Sequence, residues 1–325
     1  MELVNSIFQI LLTSVIQLFS LIGVIIVIGF LLGYLESLTR MYWSRAFGRK
    51  GFLLTAWIGV PIHELGHAIM CVLFRHKIVA TQFFPTDTSQ GALGYVQHQY
   101  NHKSVYQRIG NFFIGIGPII SGITALILLM RYFVPDSYFL FHTTLEKTIT
   151  STSINVEMVQ NMLLSTFVLL KSLFTINNVL NPSFWLFLFI AICISAHIAL
   201  SKPDIKGSID GIIVMFIVLF LFNIIAGLFQ YDSNQLIGKV MKYNMYLIAF
   251  SSVALLFSCL STLVSFGFYK IRGGVLFERP PLISYFSYNH NAQPAHEHVP
   301  LHPYTMTAIG RQEKYRPILL PFQIE

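Results

Sequence analysis

The sequence predicts an all-α polytopic membrane protein with about six transmembrane helices and a β-hairpin at the membrane surface. Three observations carry this prediction. Of the 325 residues, 54% are hydrophobic and 11% charged, and the mean hydropathy is +0.65, outside the range of soluble domains. Six stretches, at about 7–35, 51–74, 109–133, 182–200, 211–230 and 244–269, are apolar over lengths that can cross a bilayer. The joining segments are polar, and neither a repeat nor a glycine-serine linker interrupts the series.

The organisation follows in chain order. Residues 1–50 form an N-terminal transmembrane helix and a basic loop, with Arg40, Arg45, Arg49 and Lys50 in the loop. The first apolar run is far longer than a signal-peptide core and has no basic residue before it, so it is expected to be retained. Residues 51–270 form the core. Within them, Ile78–Phe84 and Ala92–Tyr100 alternate like strands around a turn-rich 85–91, which predicts the hairpin, with an irregular loop as the alternative. Met158–Val179 contains Lys171 and several amides, and is expected to lie at the interface as an amphipathic helix. Residues 271–325 form a polar tail rich in proline and histidine. It is expected to be extended, with His290, His296, His298 and His302 in no standard metal-site spacing.

Charge and cysteine usage narrow the partners. The net charge of +7 is dispersed between apolar runs. This points to anionic lipid headgroups of the bilayer and away from nucleic acid. With both termini cytoplasmic, Lys and Arg are slightly in excess on the inner side, against the Arg40–Lys50 cluster. Cys71, Cys193 and Cys259 are isolated in apolar segments and read as buried thiols.

The second apolar run contains His63-Glu64-Leu65-Gly66-His67. On a helix, His63 and His67 lie one turn apart on the same face and can grip one metal ion. Glu64 is then placed to act as general base on an activated water. Ionisable groups near a bilayer centre cost roughly 2.5–3.5 kcal/mol each, so they mark functional sites. The bland alternative is a polar helix-packing cluster.

Two histidines leave a catalytic metal one protein ligand short. The segment His197–Gly211 breaks the apolar pattern and offers three candidates. Asp204 follows Pro203 and is assigned as the third ligand, because its charge offsets that of the ion. Asp210 precedes Gly211, and His197 ends an apolar run. Both are retained as alternative ligands or as partners that orient one. An ordinary helix-capping carboxylate is the alternative for each, and weighs more for Asp210 than for Asp204.

These features resemble the site-2 protease family of intramembrane zinc metalloproteases, over roughly Phe52–Phe229. The resemblance rests on His63–His67 in a spanning helix, on Gly115–Gly122 in the next span, and on Pro203-Asp204, similar in placement to the family's Asn-Pro-Asp-Gly motif. It is nearest to small bacterial-type members without a PDZ domain. The family motif is not intact, since Asn181-Pro182 is followed by Ser183-Phe184 and supplies no carboxylate. The resemblance implies a multi-pass protein of the cell membrane. It also implies one catalytic Zn2+ held by His63, His67 and Asp204, with Glu64 as base and a transmembrane protein as substrate. A non-proteolytic zinc-binding adaptor is the alternative, and a transporter is disfavoured by the few charges in the other spans.

Overall fold

The computed structural model describes residues 2–85, 92–149, 156–229, 231, 233–272, 315–318 and 321–323. The tail histidines His290, His296, His298 and His302 lie outside the described residues.

The protein is an all-α polytopic membrane protein. Among the described residues, five helical segments are long and apolar enough to cross a membrane: Val4–Gly48, Leu53–Leu73, Val105–Phe133, Lys202–Leu228 and Tyr246–Ile271. The first two form one helical run, α1 (Glu2–Leu73), kinked at Gly48, whose φ of 62° suits glycine. We call them the first and second arms of α1. The expected basic loop over Arg40–Lys50 is therefore helical up to the kink. Arg40 donates to Glu36 one turn earlier at 2.8 Å, and Trp43 and Phe47 pack on Phe268. These contacts hold the helix past the end of its apolar run.

The sixth expected span is a shorter helix. Helix α2 covers Val105–Phe133, and α3 (Pro135–Ile149), α4 (Val156–Leu173) and α5 (Ile176–Leu180) follow it. Helix α6 (Pro182–Ser195) has 14 residues, about 21 Å at 1.5 Å per residue, against a hydrocarbon core of about 30 Å. It stops because the next residues, 196–201, turn inside the bundle to enter α7 (Lys202–Leu228). The expected interfacial helix at Met158–Val179 is divided between α4 and α5, with Leu163–Leu173 as its apolar part.

Helix α8 (Ser233–Ile271) packs along α1, and α2 packs between α1 and α7. Leu32, Ile119, Leu126, Phe184, Phe187 and Phe257 fill the shared core. Strands β1 (Lys77–Gln82) and β2 (Ala92–Asn101) form the expected antiparallel hairpin, with a bulge between Ile78 and Ala80. The hairpin lies against the second arm of α1, with Leu93 packed on Ala56 and Val60 and the Phe84 ring 5.9 Å from Trp57. Two tail segments, β3 (Tyr315–Ile318) and β4 (Pro321–Gln323), pair with β2 on its other side.

Candidate metal centre

Three buried side chains from two helices converge at one point. His63 and His67 sit one turn apart on the second arm of α1, and Asp204 sits in the first turn of α7; each is 1–2% exposed. The Nε2 atoms of the two histidines are 3.3 Å apart. Asp204 Oδ1 is 3.2 Å from His67 Nε2, and Oδ2 is 3.6 Å from His63 Nε2.

The outer nitrogens fix the tautomers. A carbonyl oxygen only accepts, so each Nδ1 must be the donor. His63 Nδ1 donates to the His197 carbonyl at 2.8 Å, and His67 Nδ1 donates to the Ile114 carbonyl at 2.8 Å. In the neutral imidazoles both Nε2 lone pairs then face each other and the carboxylate. This is the arrangement in which imidazoles ligate a cation.

Local sequence explains why those two carbonyls are available. Within a helix the Ile114 carbonyl would accept from residue 118, but Pro118 has no N–H. The Gly-Pro stretch thus frees an acceptor for His67. It also brings the helices close: a methyl added at Gly117 would strike the backbone of Gly66, 2.7 Å from its carbonyl carbon. His197 lies in the turn after α6, where the helical ladder has ended.

Asp204 has two roles at once. Ser201 caps α7, its hydroxyl accepting from the Asp204 amide at 3.3 Å, while Asp204 Oδ2 accepts from the Ser201 amide at 2.7 Å. This capping box locks the carboxylate at the helix start. The capping and ligand readings of Asp204 therefore coexist.

Glu64 differs from its neighbours. It is 1% exposed, yet both carboxylate oxygens lack a hydrogen-bond partner among the described residues. Gly94 of β2 lies against it, so closely that a methyl there would stand 2.8 Å from Glu64 Cγ. The hairpin thus closes over the residue beside the cluster.

The other two candidates lie apart from the cluster. The His197 ring is paired with Thr55, Nε2 to Oγ1 at 3.0 Å, so His197 reaches the centre through its carbonyl and not its imidazole. Asp210 lies two turns further into α7. Arg108 binds it at 2.5 Å, Asn111 at 3.0 Å and Tyr100 at 3.3 Å, which pins α7 to α2 and β2. Sequence reasoning missed Thr55, Ile114 and Glu36. Of these, only Glu36 carried a signal, as an acid at the edge of an apolar run.

The donor set fits a metal ion. The ligand atoms of His63, His67 and Asp204 all lie within 4.8 Å of one another. A tetrahedral ion with bonds of about 2.1 Å spaces its ligands roughly 3.4 Å apart; the two Nε2 atoms at 3.3 Å, and Asp204 Oδ1 at 3.2 Å from His67 Nε2, lie near that value. Two imidazoles and one carboxylate, buried together with their acceptor atoms converging, can hold a metal ion between them. No protein-family model matches this chain, and neither do curated proteins or solved structures.

Proposed function

We propose that this protein is an intramembrane zinc endopeptidase of the cell membrane, acting on transmembrane protein substrates. The observation that carries this reading is the buried Glu64 carboxylate, without a hydrogen-bond partner among the described residues and beside a His-His-Asp cluster. A purely structural site, such as an adaptor would keep, has no use for a buried acceptor without a donor.

In this reading His63 and His67 would hold zinc through Nε2 and Asp204 through its carboxylate, and the bound ion would supply Lewis acidity. Glu64 accepts the proton of the attacking water on a carboxylate oxygen and returns it to the leaving amine nitrogen. The carbonyls of His197 and Ile114 keep the imidazoles oriented as the charge changes. Water must reach the site by a polar path open to one membrane face, because the lipid core supplies none.

A substrate helix hides its peptide bonds in its own hydrogen bonds and must unwind before attack. An unwound segment can then add to the hairpin as a strand. β2 is already paired on both sides, by β1 and by the tail strands, so a substrate strand would add at the outer edge of β1 or displace Tyr315–Ile318.

The test is cleavage of single-span test proteins with helix-destabilising residues at mid-span, in liposomes, by wild type and Glu64→Gln. Wild type is expected to cut within the span. Glu64→Gln should lose at least about a hundredfold in rate, the scale of general-base catalysis, while keeping its metal. Undiminished cleavage by Glu64→Gln would remove the assigned role.

A further inference from the structure

We propose that Glu36, ion-paired with Arg40, is a positioning residue for the metal centre: it docks the turn 196–201 that presents both the carbonyl for His63 and the cap that holds Asp204. The inference rests on the metal reading above and extends it to a residue on a different segment, the first arm of α1.

The turn is non-helical backbone inside the bundle. His197, Ile198 and Ala199 are each at most 3% exposed. Backbone amides released from a helix in such a place need other partners, because lipid offers none. The Ala199 amide finds one at long range, donating to Glu36 Oε2 at 3.0 Å across 163 residues of sequence. The other oxygen, Oε1, accepts from Arg40 Nη2 at 2.8 Å. The two carboxylate oxygens are thus divided, one to the turn and one to the guanidinium.

The position of Ala199 gives this bond its leverage. Two residues before it lies His197, whose carbonyl orients His63. Two residues after it lies Ser201, whose amide holds the Asp204 carboxylate. A shift of Ala199 therefore moves a partner of one ligand and the cap of another together. Thr55 grips the same turn from the second arm, through the His197 ring. The turn is held between the two arms of α1, and Glu36 is the grip on its backbone.

Cost argues the same way. An acid in a span is expensive, roughly 2.5–3.5 kcal/mol on insertion scales. An uncharged acceptor would satisfy one amide at less cost. Glu36 sits three residues before Thr39, which spends its own hydroxyl on Thr262 in an ordinary helix-helix contact. The charged pair is placed where the backbone of the site must be held.

The experiment uses the full chain in detergent, metal-free and then titrated with Co2+. It compares wild type, Glu36→Gln, Glu36→Asp, Glu36→Ala and, as a packing control far from the turn, Asn223→Ala. Glu36→Gln keeps the reach to Ala199 without the charge; Glu36→Asp keeps the charge but withdraws the oxygen by one methylene. Backbone hydrogen exchange of residues 196–204 in metal-free protein should speed up in Glu36→Asp and Glu36→Ala. It should stay near wild type in Asn223→Ala and be intermediate in Glu36→Gln, which has one acceptor oxygen for the two donors Ala199 and Arg40. Co2+ affinity should fall about 10–100-fold in the first two, with an altered visible spectrum. Wild-type exchange and spectrum in both Glu36→Asp and Glu36→Ala would overturn the proposal. So would the same changes in Asn223→Ala, since they would then report general loosening. A wild type that takes up no Co2+, with the turn still loosened in Glu36→Asp, would contradict the metal reading and uphold the docking role.

Discussion

Two pairs of buried histidines lie in this protein with nearly the same ring separation and opposite wiring. His63 and His67 have ring centroids 5.0 Å apart, and His76 and His98 have theirs 4.9 Å apart. In the second pair, His76 Nε2 donates to the Gln107 carbonyl at 2.8 Å, which leaves its Nδ1 to accept from His98 Nδ1 at 3.0 Å. Donor meets acceptor at each step, and the pair is a link between the hairpin and α2. In the first pair both rings donate outward to carbonyls, so acceptor meets acceptor at the centre. Proximity of histidines therefore says little. The direction of the outer hydrogen bonds decides whether a pair joins two elements or waits for a cation.

That contrast can be broken at Pro118. Pro118→Ala restores an N–H to α2 and gives the Ile114 carbonyl a helical partner in competition with His67. The variant should be at least as stable as wild type, yet bind metal about tenfold or more weakly, as loss of an outer hydrogen bond does. Metal titration together with thermal unfolding checks both halves. Unchanged affinity would show that His67 does not depend on this acceptor.

The second pair sharpens the contrast through pH. Burial, with His76 beside it, lowers the His98 pKa to about 3, and burial lowers that of His76 as well. The unfolded chain, with histidines near 6.5, takes up protons first as the pH falls. Stability contributed by the neutral pair is thus complete above about pH 6.5 and is lost progressively towards pH 3. The slope is at most about 1.4 kcal/mol per pH unit for each group. His98→Asn still donates to His76 but does not titrate, so it should flatten the slope of stability between pH 6 and 4. An unchanged slope would place the acid sensitivity elsewhere.

The smallest effect is expected at a third polar cluster, built from neutral residues. Asn223 donates to Ser14 at 2.9 Å and to Gln17 at 2.8 Å, and Ser233 donates to Asn223 at 2.5 Å. Each group has a partner, as in ordinary helix packing within membranes. Asn223→Ala should cost about 1 kcal/mol of stability and leave metal affinity unchanged. A loss of metal would mean that the two clusters are coupled.

The sequence made part of this legible. Helical spacing alone places His63, Glu64 and His67 on one helix, and strand alternation places the hairpin nearly residue for residue. Ser201 to Asp204 has a capping-box spacing, yet the apolar pattern alone puts the start of this span at about 211, while α7 begins at Lys202. Three features could not be read from the sequence. The Pro118 effect acts through the carbonyl of Ile114, and His197 acts through its own carbonyl; main-chain groups leave no mark in residue type. Glu36 reads as the polar end of a span until Ala199, far away in sequence, is placed beside it. The length of α6 was overestimated because 196–200 is as apolar as a helix, while its backbone turns to serve the site.

The most direct test of the central claim is the metal content of the purified full-length protein, by elemental analysis, for wild type, Asp204→Ala and Asp210→Ala. The account predicts one zinc per chain in wild type and in Asp210→Ala, where the contacts to Arg108, Asn111 and Tyr100 are lost but no assigned ligand is, and none in Asp204→Ala. Zinc retained in Asp204→Ala, or absent from the wild type, would contradict it.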